Sequence, residues 1–72
     1  MSEEIARHII SLLIQETEDA NTDYLNDKTE YNSGYSLACY CILDTIKNEL
    51  SANDIDLSKF GLDIDLEEKF LH

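Results

Sequence analysis

Residues 37–43 read Leu-Ala-Cys-Tyr-Cys-Ile-Leu, and all seven side chains are apolar. The segment lies inside a longer helical pattern, so these side chains point in every direction around the helix axis. A helix that is apolar all round must be covered on several sides. A chain of 72 residues offers little else to cover it, and the segment therefore favours a compact helical fold and self-association.

The rest of the composition also points to helices. The chain contains two glycines and no proline, whereas β-sandwiches and barrels need frequent turns. We therefore expect an all-α fold in which residues 1–72 form one small domain. A domain of this size buries only about 60% of its unfolded surface, so a partner would add useful stability.

A first helix is predicted from about residue 3 to about residue 24, with Ser2 as its N-cap. Glu3 and Glu4 suit the positive end of the helix dipole. The predicted core stripe of this helix follows helical spacing and comprises Ile5, Ile9, Leu12, Leu13, Ala20 and Tyr24. Ile10 and Ile14 fall at the edge of the stripe or beyond it, so the apolar arc is wider than one neighbouring helix needs.

A second helix is predicted from about residue 28 to about residue 50, started by a capping box of Asp27 and Glu30. Its main apolar face comprises Tyr31, Tyr35, Ala38, Ile42, Ile46 and Leu50. A second stripe on the reverse side comprises Leu37, Tyr40 and Leu43. Two interpretations of the reverse stripe stay open. It is an interface for another copy of the chain, or it is covered by the C-terminal segment.

The C-terminal segment is too apolar to stay in solvent, so we expect it to pack across the two helices. Gly61 is predicted to end a short helical turn, and Asp65 with Glu68 to cap a last short helix over 66–71. The predicted architecture is an antiparallel two-helix hairpin with a short C-terminal helical tail. Two copies are expected to pair into a dimeric four-helix bundle through Leu37, Tyr40 and Leu43.

The net charge of the chain limits the classes of partner that it can bind. Sixteen acidic and five basic residues give a net charge of −11, which disfavours direct binding to nucleic acid or an anionic membrane and favours basic protein surfaces. Four acids recur at helical spacing and define the acidic stripe: Glu16, Asp19, Asp23 and Asp27. This stripe is either a solvated face that confers solubility or an imitation of DNA phosphates, and the first interpretation carries more weight.

No pattern in the chain predicts catalysis, a cofactor or a metal ion. Asp54, Asp56 and Ser58 match the first ligands of a calcium loop, but Lys59 stands where that loop needs glycine. His8 and His72 lie in no catalytic motif. Cys39 and Cys41, two positions apart on a helix, point about 200° away from each other, so they can neither bridge nor share a metal ion.

These observations predict a non-enzymatic, acidic protein–protein interaction module, a small regulator or adaptor that forms a homodimer. The alternative is an acidic inhibitor that blocks the basic groove of a nucleic-acid-binding protein, as some phage inhibitors and immunity proteins do. The acidic N-terminus lacks the basic start of a secretory signal. The longest apolar run, seven residues, is far short of the roughly 20 that span a membrane. Together with two free cysteines, these features predict a cytoplasmic protein.

Overall fold

A computed structural model describes residues 2–71 of the chain. Two long helices, α1 (Glu3–Asn26) and α2 (Glu30–Ala52), are followed by a 3-10 turn (Leu57–Phe60) and a short helix, α3 (Leu66–Phe70). These described residues include no β-strand. The predicted all-α class is confirmed, and so is the hairpin with its short helical tail. We use the word tail for residues 57–70.

Helix α1 begins where the sequence predicts. The Ser2 hydroxyl oxygen accepts a hydrogen bond from the backbone N–H of Ile5 at 3.2 Å, which satisfies one of the free donors of the first turn. The helix ends at Asn26, two residues later than expected. There the backbone N–H of Asp27 donates to the Asp23 carbonyl at 2.9 Å and closes the last turn.

The start of α2 differs from the prediction. Thr29 is the N-cap, and its hydroxyl oxygen accepts from the backbone N–H of Asn32 at 3.1 Å. The expected capping box of Asp27 and Glu30 is wrong because Asp27 already serves as the C-cap of α1. The side-chain amide of Asn32 donates to the Asp27 carbonyl at 2.8 Å, and this bond ties the two helices together across the short loop.

Helix α2 ends in a Schellman motif around Asp54. The N–H of Ile55 donates to the Leu50 carbonyl at 3.0 Å, and the N–H of Asp54 donates to the Ser51 carbonyl at 3.1 Å. Asp54 has a φ of 58°, the left-handed conformation that glycine adopts most easily. The motif reverses the chain and directs the tail back along the hairpin.

The left-handed backbone of Asp54 leads to a stability prediction. We expect Asp54→Gly to be more stable than Asp54→Ala by about 1 kcal/mol, because a Cβ atom is disfavoured in this conformation. Urea unfolding followed by circular dichroism measures the difference. Ser51→Ala and Ser51→Gly provide the control, since Ser51 lies in ordinary helix and there alanine should be the more stable. Equal stabilities of the two Asp54 variants would contradict the prediction.

The two predicted signals in the tail are confirmed. Gly61 ends the 3-10 turn with a left-handed φ of 72°. The Asp65 carboxylate accepts from the backbone N–H of Glu68 at 3.2 Å and caps α3. These local features place the apolar side chains of the tail against the hairpin.

The core lies between the hairpin and the tail. Its buried apolar side chains are Ile10, Tyr40, Leu43, Phe60, Leu62, Leu66 and Phe70. Leu43 and Leu62 have no exposed surface. Nearer the loop, Thr17 and Ala20 are also buried, and the Thr17 hydroxyl donates to the Leu13 carbonyl at 2.8 Å. The tail therefore packs against one side of the hairpin.

This one-sided packing corrects the predicted core faces of both helices in part. Ala20 is buried and Leu13, Ile46 and Leu50 pack against the core, as expected, but other members of the two faces are exposed. In α1, Ile10 is buried, whereas Leu12, assigned to the core stripe, is 56% exposed. In α2, Tyr40 and Leu43 are buried, whereas Ile42, assigned to the main face, is 50% exposed. The physical reason is the tail, because its four buried apolar side chains all lie on the side where Ile10, Tyr40 and Leu43 meet them.

Candidate interaction surface

Exposed apolar side chains gather on the side of the hairpin turned away from the tail. We call this surface the hairpin face and define it by Ile5, Ile9 and Leu12 of α1 with Tyr35, Ala38 and Ile42 of α2. Its five large side chains are 39–56% exposed. In each helix these residues are three or four apart, so they share one face. An apolar cluster of this kind is typical of an interaction site.

The acidic stripe continues the α1 part of the hairpin face. Positions 5, 9, 12, 16, 19 and 23 advance by three or four residues throughout, so they form a single seam along α1. The seam is apolar in its first half and acidic in its second half. The same spacing is present in the sequence, where it predicts two separate features, a core stripe and a charged stripe.

The four acids of the stripe are exposed, and three of them lie within α1. Asp27 follows the helix as its C-cap, in extended backbone. Glu16 accepts a hydrogen bond from the Tyr35 hydroxyl, and Asp19 accepts one from the Gln15 amide at 3.1 Å. Tyr35 also stacks on Tyr31, with ring centroids 6.4 Å apart. The loop end of this side of the hairpin therefore combines carboxylates with tyrosine rings.

The basic side chains lie elsewhere. Within residues 2–71 the ion pairs are Arg7–Glu3 at 3.5 Å, Lys59–Glu3 at 3.8 Å and Lys69–Glu18 at 2.9 Å. None of these pairs includes a member of the acidic stripe. The Lys47 ammonium donates to the Ile64 carbonyl of the tail segment, and Lys28 lies in the loop between the helices. The stripe is thus a surface of uncompensated negative charge.

The three residues predicted as the interface are separated by the fold. Tyr40 and Leu43 are 9% and 0% exposed beneath the tail, so they belong to the core of the monomer and do not form an exposed surface. Leu37 is 52% exposed and lines an open cavity at the loop end with Tyr24 and Leu71. The reverse stripe has two interpretations, and the one in which the C-terminal segment covers it holds for Tyr40 and Leu43.

The two cysteines are free and differ in environment. Cys39 is half-buried and Cys41 is exposed. Burial raises the pKa of the Cys39 thiol, and the nearby Glu16 carboxylate raises it further. Both effects disfavour the thiolate, which is the reactive form.

This difference predicts unequal alkylation. In the native protein at neutral pH we expect iodoacetamide to modify Cys41 several-fold faster than Cys39, because Cys41 is more accessible and Cys39 has less thiolate. Peptide mass spectrometry over a time course measures the two rates. In denaturant the rates should become equal, which is the control. Equal rates in the native protein would contradict the prediction.

The aspartates of the tail act as caps. The Asp56 carboxylate accepts from the backbone N–H of Ser58 at 3.0 Å and from its hydroxyl at 2.8 Å, and these bonds lower the pKa of Asp56. Across residues 2–71 no group of three or more histidine, cysteine or acidic residues is arranged to hold a metal ion. His72 lies outside the described residues. None of the helices in the described part of the chain is long and apolar enough to cross a membrane.

Acidification has two opposing effects on the stability of the fold. It weakens the repulsion among the negative charges, and it removes the Asp56 cap. We expect added salt, and a shift from about pH 7 to about pH 5, to raise the melting temperature by weakening the repulsion within a chain of net charge −11. The folded-state pKa of Asp56 lies below its ordinary value of 3.8. Its contribution to stability is therefore present above pH 3.8 and lost as the pH falls through the folded pKa.

Thermal melts from about pH 7 to about pH 2, with and without salt, measure both effects. Asp56→Asn is the matched variant, because it keeps the size of the side chain and removes its titration. The variant should lose less stability than the wild type below about pH 4. A melting temperature that falls steadily with added salt would show that attractive ion pairs dominate.

Comparisons with protein-family models, with curated proteins and with solved structures found no match to this chain.

Proposed function

We propose that this protein is a non-enzymatic protein–protein interaction module, a small regulator or adaptor, and that it docks through the hairpin face. The single observation that supports this most is the exposure of five large apolar side chains on one side of the hairpin. In a domain with so small a core, these side chains would have added stability if buried. Their placement on the surface favours a role in binding.

The assembly that we propose is the dimeric four-helix bundle expected from the sequence, with the hairpin face in place of Leu37, Tyr40 and Leu43 as the interface. Two hairpins stacked on this face would enclose the apolar seams of all four helices, which is the usual arrangement of such bundles. The tails would then lie on the two outer sides. This assembly leaves the monomer core unchanged.

Affinity capture from the source organism tests the proposed role. Wild type is compared with the double variant Leu12→Glu/Ile42→Glu, which places charge on the hairpin face at two side chains that are already half exposed. Leu37→Glu is the matched control, since Leu37 is 52% exposed but lies outside this face. We expect proteins captured by wild type and control to be lost with the double variant. Equal capture by all three forms would contradict the proposal.

A second candidate function is supported by the acidic stripe. Three of its carboxylates recur along one exposed face of α1, and the fourth, Asp27, follows at the C-cap. None of them takes part in the ion pairs of the described residues. Asp27 is eleven positions after Glu16, so the carboxylates extend over about 16 Å at 1.5 Å per residue. A protein of this kind could occupy the basic groove of a nucleic-acid-binding protein as an acidic inhibitor.

Removing the charges of the stripe separates this candidate from the first. With Glu16→Gln, Asp19→Asn, Asp23→Asn and Asp27→Asn combined, an acidic inhibitor should lose at least ten-fold in affinity for its captured partner, mostly through slower association. Wild-type binding should also weaken steeply with salt. A module that binds mainly through apolar contacts should respond little to this variant and strongly to Leu12→Glu/Ile42→Glu. Surface plasmon resonance with the captured partner measures both sets.

A further inference from the structure

The seam along α1 changes character halfway, and this change bears on how two copies can pair. Ile5, Ile9 and Leu12 occupy the half near the chain ends, and Glu16, Asp19 and Asp23 occupy the half near the loop. Ile42 of α2 lies on the same apolar half, because the Tyr35–Glu16 hydrogen bond sets an antiparallel register in which position 42 comes level with position 9. The hairpin face and the acidic stripe together therefore form a surface with an apolar end and an acidic end.

We propose that the partner on the hairpin face is a second copy of this chain, held antiparallel and offset so that only the two apolar ends overlap. The inference rests on the proposed function, since it names the occupant and the orientation of the same surface. In this arrangement α1 packs antiparallel against α1 of the partner. The two-fold axis that relates the copies passes near Ile9. The acidic ends of the two copies then project in opposite directions into water.

Charge disfavours the parallel alternative. A parallel pair would bring the two loops together and press the acidic stripe of each copy against the Tyr31 and Tyr35 region of the other. Carboxylates that are buried without a cation are costly, and like charges closer than the Debye length of about 8 Å repel each other. Of the five basic residues, only Lys28 lies in the loop beside the stripe. One cation per copy would therefore face the four carboxylates of the partner's stripe and could not neutralise them.

The area of the overlap predicts a weak dimer. The protein measures 37 × 20 × 14 Å, so a full face would bury roughly 700 Å² on each copy, close to the ~800 Å² of a standard interface. An offset pair overlaps along about half of this length and buries about half of this area. The total of roughly 700 Å² is below the ~1,000 Å² that most specific interfaces exceed. We therefore expect a weak, reversible dimer with a dissociation constant in the micromolar range or weaker.

Sedimentation velocity over a concentration series tests whether a second copy binds at all. We expect reversible dimerisation of wild type and of Leu37→Glu, and at least ten-fold weaker association of Leu12→Glu/Ile42→Glu. Circular dichroism confirms that each variant is folded. A wild type that stays monomeric at millimolar concentration overturns the inference. If the monomer still captures another protein through the hairpin face, the proposed function stands and only the identity of the occupant is wrong.

Distances between spin labels test the orientation. Cys39→Ala and Cys41→Ser first remove the native thiols, and Asn26→Cys, at the exposed end of α1, then carries a nitroxide. The antiparallel offset places the two labels about 50 Å apart, from a helical rise of 1.5 Å per residue on either side of the axis. A parallel pair places them within about 25 Å of each other. A short distance at this position overturns the antiparallel arrangement.

The charges of the stripe provide an independent check on orientation. Combining Glu16→Gln, Asp19→Asn and Asp23→Asn should change the dissociation constant of an antiparallel offset dimer by no more than about two-fold at physiological salt, because these side chains lie outside the overlap. A parallel dimer should tighten at least ten-fold with the same variant. Tightening of that size would contradict the proposal.

Discussion

Replacement of Leu43 by alanine is expected to remove about half of the stability of this protein, whereas Ile42→Ala should change it little. Leu43 has no exposed surface and Ile42 is 50% exposed. Truncation of a buried leucine costs about 2–5 kcal/mol. The whole free energy of unfolding expected for 72 residues is about 4–11 kcal/mol. Two neighbouring residues of the same apolar segment should therefore differ strongly in their response.

Urea unfolding of the two variants measures this difference directly. The experiment is done at concentrations well below those of any dimer, so that loss of an interface at Ile42 does not contribute to the free energy of unfolding. Leu62→Ala is a second buried site, with 0% exposure, and should behave like Leu43→Ala. If Ile42→Ala is as destabilising as Leu43→Ala, the tail does not select the core face in the way described.

Removal of the tail should have the larger effect. A chain that ends at Ile55 loses Phe60, Leu62, Leu66 and Phe70, which account for four of the seven apolar side chains of the core. Each such side chain contributes about 1.5–3 kcal/mol through burial. Tyr40 and Leu43 would become exposed as well. We expect the truncated chain to keep part of its helical signal and to lose cooperative thermal unfolding.

A peptide of residues 56–72 provides the control for truncation. Added in excess to the truncated chain, it should restore cooperative unfolding, because its apolar side chains can reoccupy the same side of the hairpin. Within the full chain, Leu71→Ala should have little effect, since Leu71 is 42% exposed. Cooperative unfolding of the truncated chain without the peptide would mean that the hairpin forms a core by itself.

The candidate surface could be predicted from the sequence only in part. The apolar surplus of α2 and the regular spacing of the acidic stripe are both visible in the chain, and they indicated an interaction module. The sequence predicts Leu37, Tyr40 and Leu43 as the interface, but the folded chain buries Tyr40 and Leu43 beneath the tail. Periodicity identifies which residues share a helical face, but two apolar faces on one helix compete for the same core. The pattern of α2 alone does not indicate which face the tail covers.

Local chemistry in the sequence determined the elements of this protein. The Ser2 cap, the left-handed Gly61 and the Asp65 cap involve residues close together in the chain, so their hydrogen bonds depend little on the rest of the fold. The same holds for the helical class, which follows from spacing and from the lack of proline. The expected cap at Asp27 failed because one residue could end α1 or begin α2, and the geometry of the loop decided between them.

Tertiary structure alone decided which sides of the two helices became core. Ile10, Tyr40 and Leu43 are buried because Phe60, Leu62 and Phe70 pack against them from a segment distant in sequence. Ile5, Leu12 and Ile42 have the same apolar character and stay exposed. Whether an apolar side chain is buried depends on which segment packs against it, because the hydrophobic effect is non-directional. One short tail can cover only one side of the hairpin, and the side that it leaves uncovered is the candidate interaction surface.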